Sequence, residues 1–216
     1  MSLSSDGFGV TSLSIGEIEN GTSILLTGED TEALKTVFAR LVAADETERS
    51  VVLATSSGGR SAQRLLEDAR SGAGSRASIL TAEGPAGGEE ITKIEDIGDL
   101  TQVGMQFSTL VASSQQSTAR FRSGIFLCST IASEVEDTRS VYRFLNTNFL
   151  TEIRRGEGIG VVAIDASADL GTDVDSMIAG MERSFNARIH VEKTGPRTAT
   201  LELTGLSDDG TVEVSL

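Results

Sequence analysis

The stretch Ile24-Leu25-Leu26-Thr27-Gly28-Glu29-Asp30-Thr31-Glu32-Ala33-Leu34-Lys35-Thr36 is where this sequence comes nearest to a reactive centre. An apolar strand that turns at a glycine into a helix can hold phosphate. It then needs a second glycine to free the backbone amides, a lysine to neutralise charge and a Ser or Thr hydroxyl to hold magnesium. Here Ala33 stands at the second glycine and Leu34 at the lysine. Lys35 and Thr36 come one residue late, about 100° further around the helix, so their side chains turn away from the amides. Glu29, Asp30 and Glu32 put carboxylates where a triphosphate would lie, each worth roughly 1–4 kcal/mol of repulsion at contact range. What is left for a phosphate is Gly28, Lys35 and Thr36. The turn reads as a plain strand-to-helix connection whose acids suit the helix dipole. A non-standard nucleotide site with ATP and magnesium, using Lys35 and Asp165, stays open as the alternative.

Few other residues offer chemistry. Cys128 is the only cysteine and His190 the only histidine, which excludes an internal disulfide, a cysteine zinc site and a histidine metal cluster. No catalytic residue and no metal ligand is assigned. Asp165, Asp169, Asp173 and Asp175 crowd one segment, but the oxygen spacing of a hard-cation loop is absent, so they read as a solvated acidic loop. Cys128, in the apolar run Gly124–Cys128, reads as a packed residue of a buried central strand. His190, between Ile189 and Val191, reads as packing or solvent-facing. Arg120, Arg122, Arg154 and Arg155 read as surface neutralisation, with a basic patch for an acidic partner as the alternative.

The elements that must position these residues alternate between strand and helix, the order of a parallel sheet flanked by helices. Strands are predicted at 23–27, 51–54, 77–81, 124–128 and 160–164. Helices are predicted around Leu34–Val42, Ala62–Ala69, Leu100–Val111 and Val141–Ile153, the last ending at Arg154-Arg155-Gly156. Asp30 or Thr31 serves as the first N-cap. The acidic, glycine-rich segment 84–90 reads as a mobile loop. Beyond residue 187 the pattern alternates around Thr194-Gly195-Pro196-Arg197 and Asp209-Gly210, which predicts an antiparallel meander on the sheet edge. One domain over residues 1–216 is expected.

The chain carries 32 acids against 18 bases, a formal charge of −14, and only Lys35, Lys93 and Lys193 among the bases are lysines. Such a surface repels phosphate backbones, so nucleic acid is not expected as a partner. It reads as adaptation to high salt, where screening removes self-repulsion. No run reaches the roughly 18 apolar residues of a membrane span and the start lacks a signal-peptide pattern, so a cytoplasmic protein without membrane contact is expected.

Residues 9–28, ending Glu19-Asn20-Gly21-Thr22-Ser23-Ile24-Leu25-Leu26-Thr27-Gly28, resemble the opening segment of KaiC-like and RadA-like members of the RecA superfamily. The segment Gly124-Ile125-Phe126-Leu127-Cys128-Ser129 is similar to the family's Walker B strand, with Cys128 in the aspartate's place. Likewise Val52-Leu53-Ala54-Thr55-Ser56-Ser57 is similar to the strand that ends in the family's catalytic glutamate, and no acid stands there. Val141 to Asp165 follows the family's order of elements. The resemblance implies a three-layer RecA-like P-loop NTPase fold, α/β, with a mostly parallel central sheet and a C-terminal antiparallel meander. It also implies that hydrolysis is lost, with Leu34, Cys128 and Thr55-Ser56 all empty of the needed groups. The whole looks like a degenerate domain of the kind found in signal-transduction-associated, HTR-like proteins of halophilic archaea. The expected role is a regulatory, signalling or scaffold module with no cofactor, acting on a protein partner or by self-association.

Overall fold

Branched and leucine side chains fill the first strands on both faces, as a parallel sheet covered by helices on both sides requires. The computed structural model describes residues 7–85, 87–88, 90–156, 158–169 and 174–216. Among these residues nine strands form one sheet: β1 (Ser23–Gly28), β2 (Glu48–Ala54), β3 (Ala77–Thr81), β4 (Ile91–Lys93), β5 (Arg120–Phe126), β6 (Ile159–Asp165), β7 (Ala187–Gly195), β8 (Thr198–Thr204) and β9 (Gly210–Ser215). Their order is β4-β3-β2-β5-β6-β1-β7-β8-β9. β1 to β7 run parallel, and β8 and β9 complete the edge antiparallel.

Helices α1 (Thr31–Val42) and α2 (Gly59–Ala69) cover one face, where Leu34, Phe38 and Leu41 pack with Ile189 and Leu201. Helices α3 (Leu100–Ser117), α4 (Cys128–Glu134), α5 (Thr138–Phe144), α6 (Leu150–Gly156) and α7 (Val174–Glu182) cover the other, around Phe107, Phe121 and Phe149. Each such side chain, fully buried, contributes roughly 1.5–3 kcal/mol. Gly124 in β5 is set by this packing, because a Cβ there would lie 2.5 Å from the Phe38 ring.

The predicted helix over 141–153 is one run broken by a π turn, Leu145–Phe149, between α5 and α6. Phe144 and Phe149, and Leu145 and Leu150, are five residues apart and all buried. An α-helix would send them to different faces; the wider turn brings both pairs onto the core side. Three features differ from the sequence expectation. β4 and α7 were not foreseen, β4 for its three residues and α7 because it begins next to the acidic stretch. Cys128 is not in the strand: β5 ends at Phe126, Leu127 turns with φ of 59°, and Cys128 starts α4.

Among the described residues no helix is long and apolar enough to cross a membrane. With 32 acids against 18 bases, self-repulsion loosens the compact state in dilute buffer. The thermal midpoint should therefore rise from low to molar potassium chloride; a flat or falling midpoint would refute this.

Candidate functional site

Gly28 closes β1 and opens the turn into α1. A Cβ there would come within 2.7 Å of the Val191 carbonyl oxygen and 3.3 Å of Leu34 Cδ2, so close packing alone demands glycine. Asp30 caps α1, its carboxylate accepting from the Ala33 amide at 2.8 Å and from Lys193 Nζ at 2.7 Å. The hydrogen bond from the Lys193 ammonium, with help from the Ala33 amide, holds the Asp30 carboxyl below the usual carboxylate range. Leu34 is fully buried. Lys35 pairs with Glu32 at 3.5 Å, and the Thr36 hydroxyl donates to the Glu32 carbonyl at 3.0 Å. Both side chains are thus engaged with Glu32 on α1 itself.

Asp165 ends β6 in register with Gly28. Its Oδ2 accepts from the Thr31 hydroxyl at 2.6 Å, and its Oδ1 from the Ser167 amide and hydroxyl at 2.9 and 2.6 Å. The carboxylate is nearly buried. The start of α1 therefore faces two of the chain's own carboxylates, Asp30 and Asp165, and the structure does not bring Asp165 together with Lys35. Of the acidic segment, Asp169 and Asp175 have partners of their own and Asp173 lies outside the described residues. Among the described residues no group of three or more His, Cys, Asp or Glu could hold a metal ion.

The ends of β2 and β5 lie side by side, Ala54 in register with Phe126. Thr55 is buried there, with its hydroxyl 2.6 Å from the Phe126 and 2.9 Å from the Leu127 carbonyl oxygen. Its single proton serves one carbonyl at a time and steadies the left-handed turn at Leu127, a conformation rare for a branched apolar residue. Cys128 is wholly buried, and desolvation pushes its thiol up to about 12, so it is inert as a nucleophile or ligand. Cys128→Ser should cost roughly 1–3 kcal/mol in urea unfolding, for a hydroxyl with no assigned partner. An unchanged midpoint would show that the position tolerates polarity.

A cleft of about 530 Å³ beside the turn is lined by Glu29, Asp30, His190, Val191, Glu192 and Lys193. His190 Nδ1 lies 3.1 Å from the Thr27 hydroxyl. Sequence reasoning did not find Lys193: it reaches the turn because β7 lies parallel to β1, a pairing between segments 163 residues apart.

At the opposite end of the sheet the surface expectation for Arg122 is corrected. Its side chain is 1% exposed; Nε donates to Glu48 Oε2 at 2.6 Å, and the other nitrogens reach the Leu41 and Gly9 carbonyls at 3.0 Å. Arg120 joins it at Glu48 and Gly7, with the Phe8 ring under both guanidiniums. Both arginines enter at the start of a central strand, where the N-terminal segment folds over them.

A sequence model of a family described as "Family of unknown function (DUF7504)" matches residues 21–191. No curated protein matches the chain. Among the solved structures that share its fold are the following two. A KaiC-like protein from the hyperthermophilic archaeon Pyrococcus horikoshii superposes with a TM-score of 0.61 at 13% identity, over 93% of this chain and 92% of its own. The RadB recombinase superposes with a TM-score of 0.57 at 10% identity, over 94% and 91%. The three-layer fold with its mostly parallel sheet is therefore RecA/KaiC-like.

Proposed function

The chain belongs to the DUF7504 family, whose function is unknown, and we propose that it uses a RecA/KaiC-like fold as a non-catalytic regulatory, signal-transduction or scaffold module. One observation carries this reading: the helix start at which a RecA-like domain would receive phosphate already holds Asp30 and Asp165. An anion added there meets two carboxylates at contact range; Lys193 offsets Asp30 alone, while Asp165 is held by hydroxyls and an amide. The absence of an acid at Thr55-Ser56 and at Cys128 supports the same reading, because neither position can order magnesium or a water. What the module then offers is surface. It would act in the cytoplasm, on a protein partner or a copy of itself, without a cofactor and without nucleic acid.

Equilibrium titration with a fluorescent ATP analogue and magnesium, in high potassium chloride, tests the proposal. No saturable binding is expected. Micromolar binding with turnover that Lys35→Ala or Asp165→Asn abolishes would overturn it in favour of a nucleotide switch.

A further inference from the structure

Charged residues make up 23% of this chain, yet α3 has none across its 18 residues, and the uncharged run continues through Ala119. Every other α-helix among the described residues carries charge. The inner side of α3 is ordinary core, with Val103, Phe107 and Val111 buried. Its outer side is exposed: Thr101, Met105, Thr109, Ala112 and Gln116 follow one another at intervals of four, four, three and four, which lines them up as one stripe. Met105 is 67% exposed, the one large apolar side chain so open among the described residues.

The π turn beside α3 extends this surface. From Phe144 to Thr151 the chain is again uncharged, with Asn146 and Thr147 exposed. Asn148 lies on α3, since a Cβ at Gly104 would fall 2.6 Å from its Nδ2. Thr101 and Ser108 stand three residues before and four after Gly104, on the same side of the helix, so stripe and turn join. Two segments separated in sequence by β5 and α4 thus meet in one neutral platform. Asp99 and Arg120 flank the first segment in sequence, and Arg143 and Glu152 the second.

Charge and hydrogen-bonding chemistry say what such a platform fits. Two copies of charge −14 repel wherever their acids face each other, and here neither presents one. A charged partner would lose water against groups that cannot neutralise it. The hydroxyls and amides of Thr101, Thr109, Gln116 and Asn146 both donate and accept, so the same surface on a second copy can satisfy them. Loss of charge and an open methionine are also marks of the centre of a protein interface. The platform measures roughly 27 by 15–20 Å, so two copies would bury about 1,000 Å², the scale of a weak, reversible contact.

We infer that this platform is the contact of a two-fold dimer, in which α3 lies antiparallel on α3 of a second copy. Pairing about the middle of the helix, between Ser108 and Thr109, sets Met105 against Ala112 of the second copy and Thr101 against Gln116. The largest side chain of the stripe then meets the smallest, and the helices can approach closely. Such a contact uses the same patch on both copies and closes at two. The inference rests on the proposed role as an interaction module and names its partner, but it is tested without nucleotide. Its failure would leave the emptied loop standing, and ATP binding would leave this contact standing.

Sedimentation equilibrium of the full chain from low to molar potassium chloride is the test. The weight-average mass should rise with concentration from 22.6 kDa toward twice that value and no further. Salt should strengthen the dimer, because it screens the repulsion between the two acidic bodies while the contact itself holds no charge to weaken. Met105→Glu and Ala112→Glu should each weaken it at least tenfold, with circular dichroism showing both variants folded. Thr109→Cys, beside the two-fold axis, should form an intermolecular disulfide on air oxidation, and Ser207→Cys, in the loop between β8 and β9, should not; Cys128 is buried and does not compete. A wild type that is monomeric at every salt concentration, an assembly larger than two, a dimer unmoved by the glutamates, or cross-linking through Ser207→Cys as readily as through Thr109→Cys would each overturn the inference.

Discussion

Arg122→Ala should lower the stability of the folded chain by about 3–5 kcal/mol, the scale for breaking a buried ion pair from one side. The guanidinium holds Glu48 Oε2 at 2.6 Å and the carbonyls of Leu41 and Gly9 at 3.0 Å, all out of water. Removing it leaves a buried carboxylate with the Asp45 amide at 3.0 Å and, as its one cation, Arg120 at the longer distance of 3.5 Å. It also strips two carbonyls of their donor and takes a cation from over the Phe8 ring. Glu48→Gln/Arg122→Met should cost much less than the sum of the single changes, because no unpaired charge is then left buried. Urea unfolding of the three variants decides it. A loss under about 1 kcal/mol for Arg122→Ala would mean that water reaches Glu48 and that the pair behaves as a surface bridge.

That pair shows where local sequence stops being informative. Buried strands such as Ala77–Thr81 and the Asp30-capped helix were legible, because apolar runs and capping residues act over a few positions. The order of elements indicated a parallel sheet flanked by helices, and the likeness of residues 9–28, 52–57 and 124–129 to KaiC-like and RadA-like sequences placed the chain among RecA-like folds. Arg122 was not legible, since its burial depends on Gly9 and Phe8 returning across 113 residues to close over it. Lys193 at the α1 turn was hidden for the same reason, as it needs β7 to lie beside β1. The position of Cys128 failed on a smaller scale. Apolar continuity from Gly124 carried no mark of the left-handed turn at Leu127, where a glycine would have announced one.

Restoring the phosphate site should require several changes at once, and Leu34→Lys alone should fail. Leu34 is fully buried and its Cδ2 lies against the position a Gly28 Cβ would take. A lysine there must either bury its ammonium or push out of the core, so the single variant should be destabilised and still show no ATP binding. One new charge would also face Asp30, Asp165 and Glu29, each worth roughly 1–4 kcal/mol against a phosphate at contact range. Rebuilding Glu29–Thr36 as a glycine-rich loop with lysine and threonine in sequence, together with Asp165→Asn, removes those carboxylates and frees the helix amides. That variant should bind the ATP analogue at least tenfold more tightly than wild type, about 1.4 kcal/mol or more. Hydrolysis should remain absent, because Cys128 and Thr55 still offer no carboxylate to order magnesium or the attacking water. Calorimetry with a single-turnover assay reads both. Binding restored by Leu34→Lys alone would show that the carboxylates at the turn are not what excludes phosphate. Turnover in the rebuilt loop would show that an acid elsewhere had taken over the missing role.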